Sequence, residues 1–216
     1  MFRREFMVLC VLALGVFGLV VGGSFWVGHV IRNDASMIAA DTLPGLVDAG
    51  AAMAVTQENW LRAHLLLNER SAAERAALMQ QIRANSNEAL WQEYGQAIYA
   101  AEDAKAYAEL MKAQKDYLKL REEFFALVEA GRIPEANVSI TRGLSSAYQH
   151  YLACSQKLFE YNARTGRQRA AKVIGVSRIA PFVIGLSGLV VFAFGTLVGL
   201  RGALSGLHLA SRIPKG

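Results

Sequence analysis

The hydrophobic pattern divides the chain into three parts. Met7 to Val27 is a run of 21 residues without a charge, and Ile179 to Leu200 is a second run of 22. Either is long enough to cross a hydrocarbon core of roughly 30 Å as a helix of about 20 residues. Between them the pattern changes from continuous to periodic. Ile140, Leu144, Ala147, Tyr151, Cys154, Leu158 and Tyr161 recur at alternating steps of four and three, which predicts a helical a/d seam. Tyr107, Met111, Leu118, Phe125 and Val128 define one face of an earlier helix. Leu78, Ile82, Ala89, Leu90 and Tyr94 define another, and Val47, Ala54, Leu61 and Leu65 a first.

Punctuation places the boundaries. Ser71-Ala72-Ala73-Glu74 has the form of a capping box, in which the serine oxygen accepts a backbone N–H and the glutamate reaches back. Gly131 suits the residue just past a helix C-terminus, and Pro134 suits the first turn of the next helix. Asp103 is a candidate N-cap for a further break near Ala101. These signals predict four helices, at about 34–69, 72–100, 103–130 and 135–178, with Pro44 kinking or restarting the first. The expected fold is all-α: an antiparallel up-down-up-down four-helix bundle flanked by two transmembrane helices.

Charge sharpens this picture. The pI near 9.4 and net charge of +5 would suit a nucleic-acid binder only if the basic residues shared one face of the domain. They do not. Asn33 to Arg178 carries 17 basic and 17 acidic residues, so the excess comes from Arg3, Arg4, Arg32, Arg201, Arg212 and Lys215 against Glu5 alone. No nucleic-acid partner is expected, and the bilayer is. Short basic flanks stay cytoplasmic. The implied organisation is a cytoplasmic N-terminus (1–6), a first span (7–27), a periplasmic bundle (28–178), a second span (179–200) and a short cytoplasmic tail (201–216). The first apolar run exceeds the 7–15 residues of a secretory h-region and is expected to be an uncleaved anchor. Gly18-xxx-Gly22 and Gly195-xxx-Gly199 allow close helix approach in lipid and are compatible with a homodimer.

The order of these parts resembles the sensor half of methyl-accepting chemotaxis proteins. The resemblance covers roughly residues 1–200. It is carried locally by Leu43-Pro44-Gly45-Leu46, by Asn59-Trp60-Leu61-Arg62 with Leu65-Leu66-Leu67, and by Phe124 to Ala136, which ends Gly131-Arg132-Ile133-Pro134-Glu135-Ala136. It implies an inner-membrane sensory receptor of a bacterium, homodimeric, whose bundle detects a small ligand such as an amino or organic acid, or a partner protein, and passes a helix shift across the membrane. Full receptors continue into a HAMP linker and a cytoplasmic coiled coil. Here Arg201 to Gly216 follow the second span, with Arg212-Ile213-Pro214 similar to the start of such a linker. The sequence therefore carries the sensory input and not the output. The alternatives are a membrane-anchored adaptor or structural protein, and the front of a longer histidine kinase or cyclase.

Candidate chemistry is sparse. Arg62, Thr141, Arg142 and Tyr148 come to similar height and could line a distal pocket, with arginine suited to a carboxylate. His64 and His150 also share a height, but no Glu-x-x-His or His-Glu-x-x-His pattern accompanies them, so no metal is expected. Trp60 and Trp91 read as core, and Cys154 as a small seam residue rather than a nucleophile. Cys10 lies in the first span, which leaves Cys154 without a disulfide partner in the bundle. No phosphate-binding glycine loop, no Gly-x-Ser-x-Gly and no pair of carboxylates in a plausible cleft is found, and no enzyme activity or cofactor is expected.

Overall fold

The computed structural model describes residues 2–69 and 71–210. Arg212, Lys215 and the Arg212-Ile213-Pro214 segment lie outside them. Among the described residues the regular structure is entirely helical: α1 (Phe2–Met37), a π-helical segment π1 (Ile38–Thr42), α2 (Leu43–Leu65), α3 (Ala72–Ala84), α4 (Glu88–Gln96), α5 (Ala101–Glu129), α6 (Ile133–Ser139), a second π segment π2 (Ile140–Leu144) and α7 (Ser145–Ala210). Two compact units emerge, one of residues 36–169 and one of residues 1–35 with 170–216.

The 36–169 unit is the four-helix bundle, with arms α2, α3–α4, α5 and α6–α7. α2 packs against α3 and α4, α3 against α5, and α5 against α6. Along π2 and α7, five of the seven expected seam residues, Ile140, Leu144, Tyr151, Cys154 and Leu158, are buried, and Ala147 and Tyr161 are half-buried. The turn after α5 closes in a Schellman arrangement. Gly131 has φ +69°, its N–H donates to Val128, and the Arg132 N–H donates to Leu127.

Three expectations need correction. The first helix buries a different face. Thr42, Gly45, Ala49, Ala52, Thr56, Asn59, Ala63 and Leu66 point inward, whereas Val47 and Leu61 are each 66% exposed and Ala54 and Leu65 are exposed with them. Small inward residues are needed because the opposing side chains are large. Added to Gly45, a Cβ would stand 2.9 Å from the Asn162 amide, and on Gly50 it would meet the Phe159 ring at 3.7 Å. The second arm is two helices, broken at Asn85-Ser86-Asn87; Ala89 is exposed, and Met79 and Trp91 fill the core beside Ile82 and Tyr94. Finally, Asp103 lies inside the first turn of α5, whose N-cap is Ala100. Ser71 does occupy the N-cap of α3, with extended backbone, but its hydroxyl makes no capping bond.

Pro44 follows a π segment. The Leu43 N–H donates to the Ile38 carbonyl, five residues back. A prolyl ring crowds the carbonyl four residues before it, and the wider π register relieves that crowding without breaking the rod. Arg169 of α7 braces this segment, donating to the Asp41 carboxylate at 2.6 Å and the Thr42 hydroxyl at 2.8 Å.

In the other unit α1 and α7 run side by side, with Gly23 against Val183 and Lys172 2.8 Å from Asp34. Both helices are long and apolar enough to cross a membrane. Their large side chains face outward: Leu19 is 80% exposed and Phe182 79%. Nothing lies within 4 Å of where Gly18, Gly22, Gly195 and Gly199 would carry a Cβ, so these glycines do not form the contact between the two spans.

A polar core closes the end of the bundle near Pro44. The Tyr94 hydroxyl donates to Asp103 at 2.6 Å and accepts from the Asn162 amide at 2.7 Å. Burial pushes the Asp103 carboxyl above its ordinary range; the Tyr94 hydrogen bond works downward, and the charges of Asp41 and Glu102 add to the upward shift. A raised carboxyl binds its proton more readily folded than unfolded, so ionisation at neutral pH destabilises the bundle. Stability should therefore rise as pH falls from neutral through the folded-state value of Asp103. Thermal melts of the full chain stepped from neutral pH down toward the free-aspartate value of about 3.9 should show this rise diminished in Asp103→Asn, which keeps an acceptor for Tyr94 and removes the charge.

Candidate functional site

The helix break in the second arm gathers a buried hydrogen-bond network. Asn, Ser and Asn compete with the helical ladder by offering their own side chains to nearby backbone. Here two of these side chains are drawn across to α2. The Asn59 amide donates to the Asn85 carbonyl at 2.7 Å, and Asn85 returns a bond to the Asn59 side-chain oxygen at 3.1 Å. The Asn87 amide reaches the Thr56 hydroxyl at 2.8 Å and the Ala52 carbonyl at 3.1 Å.

The same Asn87 amide donates to the Tyr151 hydroxyl of α7 at 2.9 Å. That oxygen also accepts the Trp91 indole N–H at 2.6 Å, while the Gln114 amide of α5 stands 3.4 Å away and bonds the Asn87 side-chain oxygen at 3.2 Å. One hydroxyl thus ties together α2, α4, α5 and α7.

Beside this network lies a cavity of about 610 Å³. Its walls come from Thr56 and Asn59 of α2, the Asn85–Asn87 break, Glu88 and Gln92 of α4, Gln114, Tyr117 and Arg121 of α5, and Tyr151. Arg83 and Lys115 also line it. Arg83 and Arg121 are fixed from behind. Both donate to Glu122, at 2.9 and 2.8 Å, and both guanidinium groups lie over the Phe125 ring, at 5.0 and 5.5 Å. Burial works upward on Glu122, but the bonds from Arg121 and Arg83 outweigh it and hold the carboxylate below its usual range.

Tyr117 is 3% exposed and stacks on Tyr151 at 5.6 Å between centroids. Its hydroxyl is buried and has no hydrogen-bond partner among the described residues. Burial pushes this phenol up to about 12, against the opposing charge of Arg121. A buried donor without an acceptor costs roughly 1–3 kcal/mol.

The residues expected from sequence height are placed differently. Arg62 pairs with Glu58 on its own helix at 2.8 Å. The Thr141 hydroxyl donates to the Asn137 carbonyl at 2.7 Å, and Arg142 is exposed in π2. Tyr148 stacks on Trp60 at 4.3 Å and lies 6.2 Å from the Tyr117 ring, behind the cavity wall. None of the four lines the cavity, nor the distal recess of about 400 Å³ formed by His64, Leu67, Asn68, Ile133, Pro134 and Asn137. His64 packs edge-on against Trp60, and both His64 and His150 are exposed. Cys154 is buried in the seam, and burial pushes its thiol up.

The two tyrosines should respond oppositely to loss of their hydroxyls. Tyr151→Phe strands the Trp91 and Asn87 donors and should lower stability by about 1–3 kcal/mol. Tyr117→Phe removes a hydroxyl that bonds to nothing and should leave the melting temperature unchanged or raised. Tryptophan-fluorescence melts of the full-length protein in detergent would measure both.

Comparison with known proteins agrees with this architecture. A family described as a four helix bundle sensory module for signal transduction matches residues 6–173. No curated protein matches the chain. The match spans the first apolar helix and the whole bundle, and the chain belongs to this family of four-helix-bundle sensory modules for signal transduction.

Proposed function

We propose that the protein is a chemoreceptor-like transmembrane sensor of the bacterial inner membrane, with a periplasmic bundle as its input and both chain ends in the cytoplasm. The observation that carries this reading is α7. The helix Ser145–Ala210 includes the buried seam residues Tyr151, Cys154 and Leu158 and also the apolar run from Ile179 to Leu200. A small ligand such as an amino or organic acid, or a partner protein, that binds the bundle differently in two states would shift α7, and the shift would be delivered across the bilayer. The basic flanks supply the orientation. In this role the chain binds and transmits and carries out no chemical reaction.

The reading includes a homodimer built on α2. Leu43, Val47, Leu61 and Leu65 are 51–66% exposed, and Ala54 is exposed on the same stripe. Their spacing continues through Ala51 and Glu58 as steps of four and three, the period of a helix–helix seam. Apart from Glu58, which pairs with Arg62 at 2.8 Å, the stripe is apolar, and an exposed apolar stripe on a domain facing water supports an interaction surface.

Single cysteines in membranes test both parts, in a background with Cys10 and Cys154 replaced. Ala54→Cys and Leu61→Cys should form disulfide-linked dimers under mild oxidation, and Lys112→Cys on α5 should not. In intact spheroplasts a membrane-impermeant maleimide should label Lys112→Cys. Labelling only after lysis would overturn the periplasmic orientation, and equal cross-linking at all three sites would overturn the α2 interface.

A further inference from the structure

A carboxylate is buried without a cation at the end of the bundle near Pro44. Asp103 is 3% exposed, and among the described residues it forms no ion pair. The two α7 cations that reach neighbouring acids are committed, Arg164 to Glu102 at 3.5 Å and Arg169 to Asp41 at 2.6 Å. Buried charges are ordinarily paired, and a carboxyl left without a cation takes up a proton more readily. Burial raises the Asp103 carboxyl, the Tyr94 bond lowers it, and the charges of Asp41 and Glu102 raise it further. Two more phenols stand at this end. Tyr107 stacks on Tyr94 at 5.8 Å between centroids, and Tyr161 of α7 is raised by burial and by the Asp103 charge. On α2, Asp48 is a second raised carboxyl, through burial and then the charge of Glu93.

Donor and acceptor counts make this junction sensitive to one proton. Ionised, Asp103 only accepts, so the Tyr94 hydroxyl donates to it at 2.6 Å and the Tyr94 oxygen accepts the Asn162 amide at 2.7 Å. Protonated, Asp103 brings a donor of its own, and the oxygen 2.6 Å away is the one that Asn162 already uses. Asn162 is the α7 end of this chain, and it has no room to turn aside. It is 2% exposed, its amide nitrogen also donates to the Leu158 carbonyl at 3.1 Å, and a Cβ on Gly45 of α2 would stand 2.9 Å from its Oδ1. The next turn is just as close, since a Cβ on Gly166 would stand 2.6 Å from the Thr42 methyl. In so tightly packed an interior a change at the Asn162 amide moves the α7 backbone, not a loose side chain.

We propose that the Asp103–Tyr94–Asn162 chain is a proton-operated latch on α7, so that a stimulus this bundle detects is the acidity of its surroundings. As a stimulus, this rests on the bundle being a sensor's input. Near neutral pH the Tyr94 hydroxyl is spent on the carboxylate and its oxygen holds Asn162. On acidification Asp103 takes up a proton and donates it to the Tyr94 oxygen in a hydrogen bond. The Asn162 amide is displaced, and α7 shifts against α4 and α5. No bond other than hydrogen bonds is made or broken, and the proton returns to solvent when the pH rises.

The test uses the full chain in lipid nanodiscs, stepped from neutral pH down toward the free-aspartate value of about 3.9, with two readouts. Infrared difference spectra should show a protonated carboxyl band that is lost in Asp103→Asn and kept in Asp48→Asn. Spin labels at Lys112→Cys on α5 and Glu160→Cys on α7, in a background with Cys10 and Cys154 replaced and diluted into unlabelled chain, report the helix separation. That separation should change by about 1–2 Å, the usual size of a helix shift, over the same pH range as the band, and stay fixed in Asp103→Asn. Should Asp103→Asn fail to fold, Tyr94→Phe carries the test: the band persists and the movement is lost. No band from Asp103, a band without movement, or movement that survives Tyr94→Phe overturns the latch. Both readouts are indifferent to which side of a membrane the bundle faces. A cytoplasmic bundle would therefore remove the sensor reading and leave the latch standing, whereas failure here removes the latch alone.

Discussion

The bundle depends on the Tyr151 hydroxyl and the Asn87 amide that meets it. Four of the arms' helices contribute to this one junction: Thr56 and Ala52 from α2, Trp91 from α4, Gln114 from α5 and Tyr151 itself from α7. A polar junction in a protein interior is stabilising only when its members are satisfied, because each unpaired donor costs the full desolvation penalty. The requirement works backward onto the chain. Asn87 can reach Thr56 and Tyr151 only if the second arm is not a continuous helix, so the break at Asn85–Asn87 and the junction require one another. The cavity is the space that this interruption leaves, and its polar lining follows from the amides that make the break.

The first arm explains how a bundle with so much aromatic bulk closes at all. Trp91, Tyr94, Tyr117, Phe124, Phe125 and Tyr151 are all buried. They are accommodated because α2 turns Gly45, Ala49, Ala52 and Ala63 toward them. The cost is that the large apolar residues of α2 face outward, on the face to which the proposed α2 interface is assigned. The same division between inward and outward faces appears in the spans, where Leu19 and Phe182 face away from the chain and are suited to lipid.

Much of the fold was legible because its signals were redundant. The α7 seam was readable from seven residues in strict alternation, and the turn at Gly131 from a glycine followed at the right distance by proline. The first arm is the exception, since its large apolar residues face outward and its small ones fill the interior. The rule that apolar residues point inward fails when the interior is filled from the other side and small residues are what fit. The break was also present in the sequence, as Asn-Ser-Asn within a strong helix former's context, but turn chemistry of that kind is decided by whether partners such as Asn59 and Tyr151 stand opposite. The site shared that fate. Counting residues from the membrane gave Arg62, Thr141, Arg142 and Tyr148 a common height but no direction around the helix axis, and the structure turns three of them onto their own helices or the surface. Tyr117, whose buried hydroxyl has no hydrogen-bond partner among the described residues, looks in sequence like any other aromatic on a helix face.

The central claim is that Asn87 and Tyr151 act as one unit that holds the break. A double-mutant cycle of Asn87→Ala and Tyr151→Phe, measured by denaturant unfolding of the full chain in detergent, addresses it most directly. Residues sharing a buried hydrogen-bond junction couple by roughly 0.5–3 kcal/mol. The account predicts a coupling within that range, with the double variant less destabilised than the sum of the singles. Additive losses would contradict it, and would make the break a property of the Asn-Ser-Asn segment alone.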